Sequence, residues 1–201
     1  GSAAVVSDNG SLKVTIPRGS LVNGNLVAAT GTTSPNGTST FSNVQTVADP
    51  FTVTNTATSG PGSLFQAITN ANVASDNDTI TFALPANSII STTSNPLPTI
   101  VFPVTIVGPG VTLDGGGAAQ DAFVLSGASD GSTISGLTIR NYGAVGVHIF
   151  TSNNTVDATV LSANQFGVLV ESGQNNVIGG LGNQILGNTS AGVQIRGGSL
   201  T

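Results

Sequence analysis

Three series of apolar residues run through the C-terminal half of the chain and stay in phase over four repeats. The first advances by 28, 22 and 22 residues through Ile106, Ile134, Val156 and Ile178. The second advances by 26, 22 and 24 residues through Leu113, Ile139, Leu161 and Ile185. The third series consists of the first residues of short apolar triplets, Phe123, Val147, Val168 and Val193, and it advances by 24, 21 and 25 residues. Chance alternation of apolar and polar residues would not keep three series in phase.

Each series indicates one short β-strand per repeat, because a strand points successive side chains to opposite faces. Three strands separated by turns make one coil of about 22 to 25 residues, and successive coils stack at roughly 4.8 Å. Stacking buries a continuous apolar column that a single coil could not bury. Glycine and asparagine at Gly115–Gly117 and Asn141–Gly143 suit the turns, since both tolerate left-handed backbone. The pattern predicts an all-β fold, a right-handed parallel β-helix or solenoid.

A different pattern precedes the coils and predicts a short capping helix near residues 63–72. Ser63 and Gln66 have the spacing of a capping box at a helix N-terminus. Four apolar residues then fall on one helical face, namely Leu64, Ala67, Ile68 and Ala71. Strands are predicted on either side, over Phe51–Thr54 and Asp78–Phe82. The helix would cover the first end of the apolar column, where core and strand edges would otherwise be exposed.

The N-terminal residues carry the alternation and turn signals of antiparallel strands. Strands are predicted at 12–17, 25–30 and 39–42. We therefore divide the chain into an antiparallel β segment over 1–47 and the β-helix with its capping helix over 48–201. Gly1–Ser2 is typical of residual cloning sequence, and we expect the chain to come from a longer protein with neighbouring domains.

Charge is scarce in this chain, which narrows the choice of partners. Only 6% of residues are charged, four of them Lys or Arg, and the net charge is -5. So few cations cannot neutralise a nucleic-acid backbone or bind an anionic membrane, so we expect neither partner. No apolar run approaches the roughly 18 residues that a membrane helix needs. We expect no metal and no cofactor, and the absence of cysteine fits an extracellular protein.

The chain between residues 50 and 82 has a characteristic order of motifs: Thr52–Thr56, then Ser59–Asn72, then Asp78–Phe82. This order resembles the opening of a family of bacterial secreted β-helix proteins in the pectate-lyase-like superfamily. In that family a pattern like TVTNT, SGPGSLRQAI, AN and DTITF introduces the helix. Phe65 replaces the usual arginine of the pattern.

The resemblance extends over about residues 50–199, because Leu113–Gly117 and Ile134–Ile139 are similar to that family's coils. Residues 12–47 resemble the closing strands of immunoglobulin-like segments found between such β-helices. The resemblance implies a right-handed β-helix in a secreted or surface-exposed bacterial protein. The family occurs in adhesin-like chains and polysaccharide-degrading systems and has no single activity, so the fold alone implies no function.

The registers place polar side chains in outward columns. On the third strand of each coil, one column consists of Val124, His148, Leu169 and Gln194, and its neighbour of Ser126, Phe150, Glu171 and Arg196. On the second strand, the columns are Thr112, Thr138, Val160 and Gln184, and Asp114, Arg140, Ser162 and Leu186. Two cross-strand ion pairs are predicted, Glu171 with Arg196 and Asp114 with Arg140.

These columns and two turns supply the candidate carbohydrate-binding residues, which are Tyr142, His148, Phe150, Phe166, Glu171, Gln194 and Arg196. Tyr142 and Phe166 are expected in comparable turns one coil apart, and Phe150 is expected to point outward. An aromatic ring offers an apolar face to a sugar, while asparagine, glutamine, threonine and serine offer hydrogen bonds to hydroxyls. For each ring the alternative is local packing over its own turn.

The same residues argue against catalysis. A polysaccharide lyase needs a cationic base and often carboxylates that hold calcium, and a hydrolase needs two carboxylates facing the sugar. Glu171 is the only glutamate, no lysine follows Lys13, and His148 has no evident carboxylate beside it. We therefore assign no catalytic residue.

The function expected from the sequence is a secreted, non-catalytic module that binds a plant cell-wall polysaccharide such as xylan or glucan. A structural or adhesive stalk of a bacterial surface protein is the alternative, and a polysaccharide lyase or hydrolase is a third. An ice-binding face would need flat threonine ladders, but Val160 and Gln184 interrupt the column of Thr112 and Thr138.

Overall fold

The computed structural model divides the chain into two units, Gly1–Asp49 and Pro50–Thr201. The structure describes residues 49–201 in full and, before them, only the backbone of six short strands between residues 4 and 46. These strands form three antiparallel pairs: β1 (Ala4–Asp8) with β2 (Ser11–Thr15), β3 (Leu26–Val27) with β6 (Gln45–Thr46), and β4 (Thr32–Thr33) with β5 (Gly37–Thr38). The strand predicted at 39–42 lies outside the described residues.

The second unit is a parallel β-solenoid, as predicted, and it has about five coils. Its first sheet contains β7 (Thr52–Val53), β8 (Asp78–Phe82), β10 (Val104–Val107), β13 (Thr133–Ser135), β16 (Thr155–Asp157) and β19 (Val177–Ile178). Its second sheet contains β9 (Ile89–Ser91), β11 (Thr112–Asp114), β14 (Thr138–Arg140), β17 (Val160–Ser162) and β20 (Gln184–Leu186). Its third sheet contains β12 (Phe123–Leu125), β15 (Val145–Ile149), β18 (Phe166–Val170) and β21 (Ala191–Ile195).

The three apolar series occupy paired positions in neighbouring strands, which confirms the predicted registers. In the first sheet Ile106 pairs with Ile134, and the pairing continues to Val156 and Ile178. The second and third series pair in the same way within their own sheets. Members of these series in the first three of the four repeats are 0% exposed and form one core, whereas Val193 in the last coil is 37% exposed. The core is therefore a column that runs through the stacked coils.

Among residues 49–201 there is a single helix, α1 (Leu64–Ala74), which packs against β7 and β8 at the start of this column. Its predicted apolar face is buried and belongs to the same core. Ser63 is the N-cap, since its Oγ accepts a hydrogen bond from the Gln66 N–H at 3.1 Å. The reciprocal half of the predicted capping box does not form, because the Gln66 side chain donates to Asn70 and the Ser63 N–H donates to the Gly60 carbonyl.

Asparagine side chains join the turns of successive coils. Asn164 Oδ1 accepts a hydrogen bond from the Tyr142 N–H, and its Nδ2 donates to the Ile139 carbonyl. One coil later, Asn188 makes the same two bonds to the Asn164 N–H and the Leu161 carbonyl. Backbone groups at these corners lie between strands and need side-chain partners. The asparagine amides supply them and so continue the hydrogen bonding of the sheets around the corner.

The other corners repeat this arrangement with different residues. We call such a stack of side-chain hydrogen bonds between corresponding turns a ladder. In a second ladder the Asn154 N–H donates to Asn176 Oδ1, and in a third the Thr159 N–H donates to Asn183 Oδ1. A residue with positive φ precedes each position of the Tyr142 ladder: Asn141 (58°), Ala163 (54°) and Gly187 (60°). The left-handed residue turns the chain sharply, which explains the asparagine and glycine seen in these turns.

Candidate functional site

Four ionisable side chains meet on the outer face of the third sheet, one from each of its four strands or the adjoining turn. Asp121 precedes β12, His148 lies in β15, Glu171 follows β18 and Arg196 follows β21. Because the four strands pair in parallel and in register, these residues come from four successive coils, or levels, stacked along the solenoid. We define the third-sheet cluster as these four residues together with three more from the same strands or their ends, Phe150, Phe166 and Gln194.

His148 lies between two carboxylates, so the expectation that it has none beside it was wrong. Its Nδ1 is 2.8 Å from Asp121 Oδ2, and its Nε2 is 3.7 Å from Glu171 Oε1. A carboxylate only accepts hydrogen bonds, so the Nδ1–H donates to Asp121. The other oxygen of Asp121 accepts from the Val145 N–H at 2.9 Å. Asp121 therefore fixes both the orientation of the imidazole and the nitrogen that carries the proton.

The predicted ion pair between Glu171 and Arg196 is present, and Arg196 makes a second contact. Its Nη1 donates to Glu171 Oε1 at 2.6 Å. Its guanidinium carbon lies 5.6 Å from the centre of the Phe166 ring, which is a cation–π contact. Phe166 begins β18 and Glu171 follows it, so the guanidinium joins side chains from both ends of that strand. Leu169, between them on the outward column, is only 2% exposed.

Phe150 and Gln194 are the remaining members of the third-sheet cluster. Phe150 is 40% exposed and packs against His148, with ring centres 4.3 Å apart and planes inclined by 36°. One part of its ring is thus fixed by the imidazole while the rest faces solvent. Gln194 shares the outward column of His148, two coils further along. Its Oε1 and His148 Nε2 are both buried, and neither has a hydrogen-bond partner among the described residues.

Tyr142 does not belong to this surface, which corrects its place among the candidates. It is 1% exposed, and its hydroxyl forms a 2.7 Å hydrogen bond with Thr92 Oγ1. Tyr142 aligns with Asn164 in a ladder at the turn, whereas Phe166 lies in β18, so the two rings are not at comparable positions. Burial raises the pKa of Tyr142 to about 12, with the Thr92 hydrogen bond acting in the opposite direction and the charge of Asp114 adding to the rise. A ring this deeply buried cannot contact a polymer.

The second predicted ion pair is present on the second sheet. Arg140 Nε donates to Asp114 Oδ2 at 2.9 Å, and the Asn141 side chain and the Gly116 N–H donate to the same carboxylate. Burial by itself raises the pKa of Asp114, but the hydrogen bonds from Gly116, Asn141 and Arg140 and the charge of Arg140 together hold it below its usual value. The donors occupy this carboxylate, which makes it a structural link between β11 and β14.

A cavity of about 220 Å³ opens beside the Tyr142 ladder and is lined by turn residues that include Asn141, Gln165 and Thr189. No charged side chain lines it, so it offers a ligand only weak anchors. Across residues 49–201, no three His, Cys, Asp or Glu side chains are grouped to hold a metal ion. Within that range, no helix has the length and apolar character needed to cross a membrane.

Comparisons of the chain with protein-family models, curated proteins and solved structures found no match. The contacts and chemistry of the third-sheet cluster are therefore the basis for a proposal about its function.

Proposed function

We propose that the chain is a non-catalytic module that binds a neutral polysaccharide along the outer face of the third sheet. The observation that carries the proposal is the exposed Phe150 ring beside polar side chains from four successive levels. Sugar rings pack an apolar face on aromatic side chains while their hydroxyls bond to polar neighbours. With levels spaced at roughly 4.8 Å, the cluster is long enough for a short run of sugar residues.

The charge of the site favours a neutral ligand. Asp121 and Glu171 bring two carboxylates to the cluster, against one guanidinium from Arg196. The net charge of the whole chain is -5, so the field beyond the site also repels anions. A uronate-rich polymer would meet this repulsion at every residue, whereas xylan, glucan or mannan backbones would not.

The contacts of the carboxylates support binding over catalysis. A glycoside hydrolase directs two carboxyl groups at the sugar. Asp121 instead binds His148 and the Val145 N–H, and Glu171 binds Arg196. The nitrogen of His148 that does not bind Asp121 is buried and could not take a proton from substrate in this arrangement. Both carboxylates of the cluster are thus committed to contacts within the protein.

We also propose that the chain is related to the bacterial secreted right-handed β-helix proteins, that its N-terminal residues are an immunoglobulin-like segment, and that it works outside the cell next to other domains. The motif order supports this relationship, because β7, α1 and β8 coincide with the three parts of the family's opening pattern. In this setting the module would hold a neighbouring enzyme or a cell surface close to polysaccharide.

A rigid stalk is the second candidate, and the asparagine ladders favour it. Ladders through Asn154 and Asn164 fix the spacing of consecutive coils at two corners. A spacer requires such regularity, whereas a binding site requires only a few ordered residues.

Affinity electrophoresis through gels that contain xylan, glucan, mannan or pectin distinguishes these functions. We expect at least one neutral polymer to retard the protein, and Phe150→Ala to reduce the retardation without lowering the melting temperature appreciably. Val107→Ala is the matched control, since Val107 is 38% exposed but lies on the first sheet. If no polymer retards the protein, binding is refuted and the stalk is favoured. Release of reducing ends or unsaturated sugars would instead show an enzyme.

A further inference from the structure

Two buried atoms of the third-sheet cluster require partners that the described part of the chain does not supply. They are His148 Nε2 and Gln194 Oε1. Folded proteins satisfy nearly all buried polar atoms, because an unpaired one loses its hydration without compensation. Two such atoms in a single outward column therefore point to something that binds there.

Both atoms can accept a hydrogen bond. Because the Nδ1–H of His148 donates to Asp121, the neutral imidazole has an acceptor lone pair on Nε2. A side-chain amide oxygen, as in Gln194, also accepts. Glu171 Oε1 lies 3.7 Å from Nε2 and is another acceptor when ionised. The chemistry of the site therefore selects for O–H or N–H groups and against carboxylates.

The positions of the two atoms suit a polymer. His148 pairs with Leu169, and Leu169 pairs with Gln194, so the two acceptors lie on the same line, two coil spacings of roughly 4.8 Å apart. Arg196 binds Glu171 Oε1, the same atom that lies 3.7 Å from His148 Nε2. The Arg196 side chain also contacts the Phe166 ring and is 48% exposed. Rotation of Arg196 away from Glu171 needs no movement of the backbone.

Building on the proposed function, we infer that His148 Nε2 and Gln194 Oε1 accept hydrogen bonds from hydroxyl groups of a neutral polysaccharide when Arg196 turns away from Glu171. The ligand is a polymer whose hydroxyls are free. O-methylation removes the donors it needs, and a uronate places a carboxylate against Glu171 and two acceptors.

The probes for this inference are arabinoxylan, hydroxyethylcellulose and galactomannan, the O-methylated derivative of each, and polygalacturonate, all used in affinity gels. We expect a neutral polymer to retard the protein, and its methylated derivative and polygalacturonate to have little effect. Gln194→Leu should weaken binding by about threefold to tenfold, the effect of one lost hydrogen bond. Gln184→Leu is the matched control, because Gln184 lies in the same coil but on the second sheet, and it should bind like the wild type.

Failure of the inference differs visibly from failure of the proposed function. If the wild type is retarded but Gln194→Leu is retarded equally, or if the methylated polymer binds as well as the free one, the hydroxyl contacts are refuted and polysaccharide binding stands. If none of the polymers retards the wild type, both are refuted. Arg196→Met should tighten binding severalfold, since no ion pair then has to break, and weaker binding would contradict the movement of Arg196.

A second measurement needs no substitution. His148 is the only histidine, so its side-chain nitrogen NMR signals are assigned without ambiguity. Nδ1 should remain protonated in free and bound protein, and the Nε2 signal should shift when an oligosaccharide of the retarding polymer is added. An Nε2 signal that stays constant while the protein is saturated would overturn the inference.

Discussion

Replacing Asn164 with leucine should destabilise the protein far more than the same replacement at Asn188. Both side chains make one bond from a backbone N–H and one to a backbone carbonyl, at 3.0 and 3.1 Å for Asn164 and at 3.0 Å each for Asn188. Asn164 is 0% exposed, whereas Asn188 in the last coil is only partly buried. Leucine has nearly the shape of asparagine but neither donates nor accepts, so the pair isolates the effect of burial.

The magnitude follows from the groups left without partners. Asn164→Leu leaves the Tyr142 N–H and the Ile139 carbonyl unpaired in the interior, at about 1–3 kcal/mol each. We expect a loss of about 3–4 kcal/mol in the free energy of unfolding. Asn188→Leu frees the Asn164 N–H and the Leu161 carbonyl. Because the Asn188 side chain that covers these two groups is itself only partly buried, we expect water to reach them and the loss to be about 1 kcal/mol.

Urea unfolding followed by circular dichroism and by tyrosine fluorescence provides the measurement. Tyr142 is the only tyrosine and there is no tryptophan, so fluorescence reports on the ladder itself. Coincident transitions with an unchanged dependence on urea would allow the two free energies to be compared directly. Equal losses at the two positions would refute the reasoning, because they would show that burial does not determine the strength of the ladder.

Three further predictions concern titration and backbone strain. Tyrosinate absorbance of the folded protein should have its midpoint near pH 12, because burial raises the pKa of Tyr142 from 10.0 to about 12. The stability that this raised pKa contributes is complete below pH 10 and is lost as the pH rises through about 12. A titration midpoint near pH 10 in folded protein would contradict this. The depressed pKa of Asp114 should stabilise the fold fully above its ordinary value of 3.8 and lose its effect as the pH falls through the folded pKa, so acid unfolding curves of Asp114→Asn should lack this component. Ala163→Gly should stabilise the protein by about 0.5–1 kcal/mol in urea melts, because alanine is strained at a φ of 54° and Gly187 holds the equivalent position in the next coil; a loss of stability would count against that strain.

The coils could be predicted from sequence because every inward position follows the same rule, namely that an apolar side chain is buried at the same place in each coil. Val156 and Leu161 are inward for the same reason as their counterparts above and below, so errors at one coil are corrected by the others. The same alignment correctly placed Arg196 beside Glu171. In a repeating structure, the spacing of residues along the chain thus predicts which side chains are in contact within a column.

Positions outside the repeated strands could not be placed in this way. Asp121 lies in the turn before β12, and the three aligned series of apolar residues do not extend into that turn. Its contact with His148 was therefore not predicted. Tyr142 was expected at the surface because it sits between turn residues. Its alignment with Asn164 and Asn188, at steps of 22 and 24 residues, was the signal that it occupies a buried ladder. Gln194 was placed on the correct column, but its missing donor could be recognised only from the packing around it.

The central claim, that the outer face of the third sheet binds polysaccharide, is tested most directly by amide NMR of the protein during titration with xylo-, cello- and manno-oligosaccharides. We predict that one of these ligands shifts signals of β15, β18 and β21 around His148, Phe150 and Gln194, while signals of the first and second sheets stay in place. Shifts confined to those other sheets, or no shifts with any of the three ligands, would contradict it.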